Sequence, residues 1–300
     1  MFEKTIHRLQ GGRVLAECGP MRLVISAFLG KPPQVDMAVE AAIESFVFLE
    51  AIVRERIYLG EEFRKFTRRK KNALVARMGE SVAAVGDVDL TPMAAVAGTI
   101  ADGVADFLFF RGMTKVVVEN GGDVSIRLQT GESVTVGIRP RVDSQEISHV
   151  ITLDPTSPTW GVATSGLGGR SLTKGIASAV TVVAENASLA DAAATAVANA
   201  SFVEDEQVFR RPAVEVDPYT DIPCIPVTIK VGPLSESKKR LAMEQALRRA
   251  QELISKKVIL GAFVAVQGKA VMTDFMKCLM MNDVVEKGHQ FFDRETKTET

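Results

Sequence analysis

An aspartate and a threonine stand four residues apart in an alanine-rich run. Asp191 and Thr195 share one face of the helix that this run predicts, because residues four apart are neighbours on a helix surface. A carboxylate and a hydroxyl so placed can both reach a hard cation such as Mg²⁺, which adds backbone carbonyls, water and phosphate oxygens. The competing interpretation is structural, since an acid near a helix start and a mid-helix threonine are both locally favoured. Spacing alone favours the structural interpretation.

A turn with two glycines follows a predicted strand. Asn120, Gly121, Gly122 and Asp123 could form a binding loop, because glycine permits positive φ and close approach of a ligand. The asparagine and aspartate would flank that opening with polar atoms. The same residue types are also favoured in ordinary hairpin turns, so both interpretations stay open.

A second glycine-rich stretch offers hydroxyls, backbone amides and one cation. Thr164, Ser165 and Gly166 follow a short apolar run, and Arg170 comes after two further glycines. Such a loop could hold phosphate oxygens, or it could be a flexible connection. Asp102, which follows Gly98 on another predicted helix, is either an exposed acid or a neighbour of a substrate or metal.

Hydrophobic periodicity predicts the elements that would position these residues. Helices are predicted over 35–58, from Thr91 to about Phe110, around residues 190–199 and from Ser235 to about Lys257, and strands over 13–18, 21–27, 116–119, 124–128, 133–138, 147–153, 179–184, 227–231, 258–266 and 270–275. Residues 202–223 are expected to be irregular. Long helices between runs of strands indicate an α+β fold, with largely antiparallel sheets and the helices packed on one side. We expect one domain over 1–282 and a poorly ordered polar tail over 283–300.

Composition limits the classes of function. The 300 residues are 46% hydrophobic and 24% charged, with a net charge of −1, which predicts a globular core and no general nucleic-acid surface. The basic run 64–71 is a local exception, interpreted first as a solvated helix face or loop and otherwise as a contact for phosphate or an acidic partner. Three scattered cysteines favour a reducing compartment. Without a leader or a membrane-length apolar segment, the protein is expected to be cytoplasmic.

The order of these motifs carries more information than any one of them. Gly-x-x-x-Asp from Gly98, Asn-Gly-Gly-Asp from Asn120, Ala-Thr-Ser-Gly from Ala163, Val-Thr-Val-Val-Ala from Val180 and Ala-Asp-Ala-x-x-Thr-Ala from Ala190 follow one another between residues 91 and 199. This ordered set resembles the ApbE-like superfamily, whose best-known members are FAD:protein FMN transferases. It is most similar to a short cytosolic branch of poorly defined activity.

The resemblance implies a fold related to the T-fold and a cleft for FAD, with Mg²⁺ near the pyrophosphate. It implies Asp191 and Thr195 as metal ligands, completed by a backbone carbonyl near Ala97 and Gly98. The flavin nucleotide would contact residues from the other motifs, and the candidate cofactor-binding residues are Gly98, Asp102, Asn120, Gly121, Gly122, Asp123, Thr164, Ser165, Gly166 and Arg170. Mg²⁺ would act as a Lewis acid on the pyrophosphate, and FMN would pass to a threonine or serine hydroxyl of an acceptor protein.

The chain departs from the transferase pattern in two places. Ala97 stands where transferases have a lysine, and residues 167–178 contain no histidine where they carry a His-x-x-Asp-Pro-x-Thr-Gly segment. His149 with Asp154-Pro155-Thr156 imitates that segment, but it precedes Thr164 and is interpreted as coincidence. Loss of an acid–base group costs on the order of 10²–10⁴ in rate. Binding of a flavin nucleotide is therefore the stronger expectation, and FMN transfer or FAD pyrophosphatase activity the weaker.

Two other classes of function stay open. An accessory protein of cytosolic sulfur or cofactor metabolism could use the same scaffold, with Cys224 between two prolines as an exposed thiol. An oligomeric structural protein could use the long apolar helix over 35–58 at an interface between copies. A response to nucleotide and Mg²⁺, a fast-reacting thiol, or a concentration-dependent mass would separate the three.

Overall fold

A computed structural model describes residues 2–55 and 72–282. Within these ranges, nine strands form one sheet in the order β1-β2-β3-β4-β5-β8-β9-β12-β13, and every neighbouring pair is antiparallel. Two further antiparallel pairs, β6-β7 and β10-β11, stand apart from it. The strands are β1 (Lys4–Arg8), β2 (Val14–Cys18), β3 (Met21–Phe28), β4 (Lys115–Asn120), β5 (Asp123–Leu128), β6 (Val134–Ile138), β7 (His149–Leu153), β8 (Thr159–Ser165), β9 (Ala179–Ala184), β10 (Val208–Pro212), β11 (Pro226–Val231), β12 (Gly261–Val266) and β13 (Lys269–Met272).

The long helices share one face of the main sheet. The helices are α1 (Val35–Arg54), α2 (Ala73–Val85), α3 (Val96–Phe109), α4 (Ala187–Ala200), α5 (Ala213–Val216), α6 (Glu236–Ser255) and α7 (Asp274–Asn282). Side chains of α1, α2, α3, α4 and α6 form one buried core with this face. On the opposite face, the β6-β7 hairpin and α7 cover a second core around Trp160 and Phe263. The expected α+β class, with largely antiparallel strands and the long helices on one side, is confirmed.

Helix α4 begins in a space too narrow for side chains on two of its neighbours. A Cβ atom on Gly98 of α3 would lie 2.2 Å from the carbonyl oxygen of Ala187, and one on Gly161 of β8 would lie 2.0 Å from the carbonyl carbon of Asn186. Contacts this short are impossible without movement of the backbone. Glycine at these two positions therefore lets α3 and β8 close on the start of α4.

Several sequence-based boundaries were wrong. In the described residues the helix predicted to end at residue 58 ends at Arg54, and the predicted irregular stretch 202–223 contains β10 and α5. The predicted strand 270–275 ends at Met272, where α7 follows after one residue; α7 and α2 were not predicted. The basic run 64–71 and the tail 283–300 lie outside the described residues, and the single-domain assignment stays a prediction.

One apolar stretch is long enough to cross a membrane by length and composition. It comprises residues 92–109, a short 3₁₀ turn followed by α3, and 56% of it is buried inside the protein. Its buried residues pack on α1, α4 and strands β4 and β5. This packing is typical of a core helix.

The close approach of α3 and α4 predicts that adding one methyl group at Gly98 destabilises the folded protein. Gly98→Ala is expected to lower the free energy of unfolding by about 1–3 kcal/mol, the usual penalty of overpacking, although alanine is the better helix former. Gly103→Ala on the same helix is the matched control, because its new methyl would meet only the ends of the Leu74 and Phe48 side chains. Urea unfolding of both variants measures the difference, and equal stabilities would contradict the predicted clash.

Candidate functional site

Three separate segments meet around Asp191. Its Oδ2 accepts a hydrogen bond from the backbone N–H of Gly98 at 3.0 Å, which joins α4 to the start of α3. In the turn between β4 and β5, Asn120 Nδ2 donates to the carbonyl of Ala97 at 3.1 Å. The structure therefore brings together the helix start, the glycine turn and the metal-ligand candidate that the sequence placed far apart.

A second carboxylate lies beside this one. Asp123, the first residue of β5 after the glycine turn, lies near the backbone N–H of Thr164, which favours the ionised carboxylate and lowers its pKa. Burial raises the pKa of Asp123 well above its usual range, and the negative charge of Asp191 raises it further. Ionisation of both carboxyl groups at once is therefore disfavoured, because burial and the repulsion between their charges act in the same direction.

Burial is also the main influence on Asp191, which is 8% exposed. It raises the pKa of this carboxyl to about 7, and the charge of Asp102 acts in the same direction. The backbone N–H groups of Gly98 and Ala97 oppose this by stabilising the ionised form. Near neutral pH the group is therefore poised between its two protonation states.

Thr195 lies one turn further along α4 and is 8% exposed. Its hydroxyl forms no hydrogen bond with any other residue in the described ranges. Asp191 and Thr195 are therefore both largely shielded from bulk solvent, and their assignment as metal ligands stays a prediction. Within residues 2–55 and 72–282, no three His, Cys, Asp or Glu side chains gather as a metal cluster, so a cation here would need hydroxyl, carbonyl or water oxygens as well.

The glycine turn is covered by Arg170. A Cβ atom on Gly121 would lie 3.1 Å from a terminal nitrogen of the Arg170 guanidinium, which also donates to the carbonyl of Pro20 at 3.1 Å. A Cβ on Gly122 would lie 3.7 Å from the carbonyl oxygen of Thr164. The two glycine-rich stretches of the sequence, 120–123 and 164–170, are therefore spatial neighbours.

The residues at the end of β8 differ in their burial and in their contacts. The hydroxyls of Thr164 and Thr181 share a hydrogen bond at 2.9 Å. Ser165 is partly buried at the last position of the strand, and Gly166 is buried against Ser178 and Ala179. The roles of Thr164, Ser165 and Gly166 in ligand binding therefore stay predictions.

Asp102 is fully buried, so its interpretation as an exposed acid was wrong. Its carboxylate accepts hydrogen bonds from the backbone N–H groups of Ala187 (3.1 Å) and Ser188 (2.9 Å), which begin α4. Ser125 Oγ (2.6 Å) and a guanidinium nitrogen of Arg127 (3.1 Å) complete the set. These contacts give Asp102 a structural role beneath the site, and its assignment as a cofactor-binding residue stays a prediction.

Arg127 and Ser125 were missed by the sequence analysis. Both lie on β5 and point toward α3, where Arg127 also pairs with Asp106 at 2.8 Å. The alternate residues of this strand, Ile126 and Leu128, face the opposite core. The sequence pattern that could have identified them was the occurrence of polar residues at every second position of an otherwise apolar strand.

The fold and site define an α+β protein with two neighbouring carboxyl groups, Asp191 buried and Asp123 partly buried, where a nine-stranded sheet meets two helix starts. The model of a protein family described as AbpE bacteria matches residues 6–272. Because this match covers most of the chain, the protein belongs to that ApbE-like family. The family resemblance predicted from the ordered motifs is confirmed.

Relatives occur among methanogenic archaea. A UPF0280 protein of Methanosphaerula palustris is 33% identical over 166 residues, which are 55% of this chain and 68% of the relative. A UPF0280 protein of Methanococcus aeolicus is 40% identical over 128 residues, which are 42% of this chain and 48% of the relative. The chain thus spans about half the length of the latter protein.

The chain also has a distant likeness to a solved structure. The apo form of the Pseudomonas stutzeri flavinyl transferase ApbE is 15% identical, and the match covers 93% of this chain and 98% of that one with a TM-score of 0.44. A similarity at this level is too low to define shared geometry.

The raised pKa of Asp191 predicts how stability depends on pH without divalent metal. Its folded pKa of about 7 exceeds the unfolded value of about 3.9, so the folded state binds the proton more tightly. Stability is therefore expected to fall as pH rises from about 4 to 7, by at most about 4 kcal/mol at about 1.4 kcal/mol per unit.

Asp191→Asn tests this dependence because it keeps the shape and removes the charge. The variant is expected to unfold at a higher temperature than the wild type at pH 8 in EDTA, with little difference at pH 4.5. Asp36→Asn, at an exposed position, is the control and should shift neither value. A stability advantage of Asp191→Asn that is the same at both pH values would contradict the assigned cause.

Proposed function

We propose that this protein binds a flavin nucleotide, with FAD as the first candidate, together with Mg²⁺ at Asp191 and Thr195. The observation that carries the proposal is the convergence of Asp191, the 120–123 turn, the end of β8 and Arg170 in one place. Membership of an ApbE-like family supports the same class of ligand, because the resemblance to FAD:protein FMN transferases implies a cleft for FAD.

The side chains present fit a hard divalent cation. Asp191 is nearly buried beside Asp123, and no arginine or lysine among the described residues forms an ion pair with either carboxylate. A cation would compensate this buried negative charge, and the Thr195 hydroxyl supplies a further oxygen ligand. Bound Mg²⁺ would supply Lewis-acid polarisation of a pyrophosphate.

The residues of the chain itself would orient the nucleotide. Arg170 places a guanidinium above the glycine turn, where it can donate to phosphate oxygens in the fixed fork geometry that suits them. Gly121 and Gly122 carry no side chain, which lets the Arg170 guanidinium and the Thr164 carbonyl approach the turn closely. The Thr164 hydroxyl, already paired with Thr181, keeps one acceptor or donor position for the ligand.

The positions of the histidines favour binding over FMN transfer. In the described residues, His7 lies on edge strand β1, and His149 packs on Phe263 with ring centres 5.4 Å apart. Phe263 belongs to the core on the sheet face opposite α4, so the segment following His149 does not supply an acid–base group beside Asp191. The proposal is therefore a nucleotide-binding protein, with transfer to an acceptor protein and a cytoplasmic location left as predictions.

Titration with FAD, with and without Mg²⁺, tests the function. The wild type is expected to bind FAD more tightly with Mg²⁺, and Asp191→Asn to lose that dependence, with affinity in Mg²⁺ reduced at least about tenfold. Asp36→Asn should behave as wild type. FAD binding that is indifferent to Mg²⁺ and to Asp191→Asn would remove the metal from the proposal. Failure of FAD, FMN and ADP to bind would overturn the nucleotide function and favour the accessory-protein alternative.

Arg170→Gln separates the phosphate contact from the metal contact. It is expected to weaken FAD binding about tenfold or more, the usual effect of losing a charged hydrogen bond, while the ratio of affinities with and without Mg²⁺ is kept. Arg240→Gln, at an exposed position on α6, is the matched control. Calorimetry on the three proteins gives both quantities, and unchanged affinity in Arg170→Gln would exclude a phosphate contact.

A further inference from the structure

A cavity of about 500 Å³ opens beside the far end of α4. Its wall includes Asn199 from the end of that helix, Phe202 just after it, Arg210 from β10, and Cys224 from the loop before β11. Lys174 and Asp89 complete it from the opposite side. This volume lies within the range of sites for small organic molecules. We refer to it as the Arg210 cavity.

The charges around the cavity do not balance. Lys174 forms an ion pair with Asp89, so these two groups compensate each other. Arg210 has no acidic partner in the part of the chain that the structure describes. One positive charge is therefore left uncompensated in the wall.

The Arg210 guanidinium is held in place but not fully hydrogen-bonded. Its central carbon lies 4.3 Å from the ring centre of Phe202, and one terminal nitrogen donates to the carbonyl of Pro226 at 2.5 Å. Its Nε atom is buried and has no acceptor among the described residues. The other terminal nitrogen forms no hydrogen bond with a described residue, so it can donate to an acceptor that a ligand brings into the cavity.

Asn199 supplies a second donor. Its Oδ1 accepts hydrogen bonds from the backbone N–H of Lys174 at 2.8 Å and from the Thr173 hydroxyl at 3.4 Å, which fixes the orientation of the amide. The amide NH₂ group makes no hydrogen bond to any other described residue. A fixed amide and a stacked guanidinium in one wall form a donor pair suited to an oxyanion.

The Arg210 cavity is separate from the nucleotide site. Asn199 follows Asp191 by eight residues on α4, which corresponds to about 12 Å along the helix axis. We propose that this cavity binds the carboxylate or phosphate group of a small organic anion, with Arg210 and Asn199 as donors and Phe202, Ile225 and Pro226 as its apolar wall. Such a ligand would be a second small molecule, bound independently of the metal at Asp191.

Cys224 provides a direct readout of this binding, because it is exposed and lines the cavity. In a Cys278→Ser background, Cys18 is the other remaining cysteine and is buried. Alkylation of Cys224 by uncharged iodoacetamide is measured with increasing inorganic phosphate, phenyl phosphate or benzoate. We expect saturable protection by phenyl phosphate or benzoate, and the more effective of the two identifies the oxyanion. Inorganic phosphate shows whether the anion suffices without the ring.

Charge variants assign the effect to Arg210. Arg210→Gln is expected to raise the concentration needed for half-protection at least about tenfold, and Arg210→Lys to raise it less. Arg211→Gln is the matched control, because Arg211 is the exposed neighbour on the same strand. Asp191→Asn should leave protection unchanged, which separates this proposal from the proposed function. The proposal is overturned if no probe protects the wild type, or if protection is the same in Arg210→Gln.

Discussion

The carboxylate of Asp102 holds the start of α4 in place, and the arrangement of the site depends on it. It binds the first two N–H groups of that helix, while Asn186 accepts from the third at 2.9 Å. Arg127 neutralises the buried charge at 3.1 Å, so the helix start, α3 and β5 are tied by one ionic contact. Burying such a pair is tolerated only when its remaining hydrogen-bond positions are filled, as they are here. Gly98 and Gly161 permit the required closeness.

Fixing the start of α4 also fixes the position of the side chains on its next turn. Asp191 lies one turn beyond the residues that Asp102 binds. There it accepts a hydrogen bond from the N–H of Gly98 and lies close to Asp123. Holding these two carboxyl groups close together in poorly hydrated surroundings destabilises the folded state when they are ionised, since burial and mutual repulsion both disfavour their ionised forms. Such an arrangement is typical of sites whose charge is completed by a ligand. This closeness of two carboxyl groups is the observation that best supports the proposed binding of a metal and a nucleotide.

Helix α4 also connects this site to the Arg210 cavity at its other end. The carboxyl groups of Asp191 and Asp123 lie together near one end of this helix, and the other end lies beside the uncompensated cation Arg210. The second departure from the transferase pattern, residues 167–178, reaches both places, because Arg170 lies against the glycine turn and Lys174 pairs with Asp89. In this family member the loop presents basic groups where the transferase pattern has a histidine, and basic groups suit the proposed binding of a phosphate.

Local patterns in the sequence determined the class of fold and the candidate motifs. Alternating apolar residues predicted most strands, and the helix predicted from Ser235 corresponds to α6, which the Ser235 side chain caps, because these signals act within a few residues. The neighbourhood of Asp123, Thr164 and Asp191 was suggested only by the order of motifs, and only the tertiary structure decided it. The burial of Asp102, its pairing with Arg127 and the composition of the Arg210 cavity could not be predicted, because each depends on contacts between residues 20 to 85 or more positions apart. The physical reason is that burial, charge pairing and pKa are properties of the packed surroundings, which no local pattern of residue types contains.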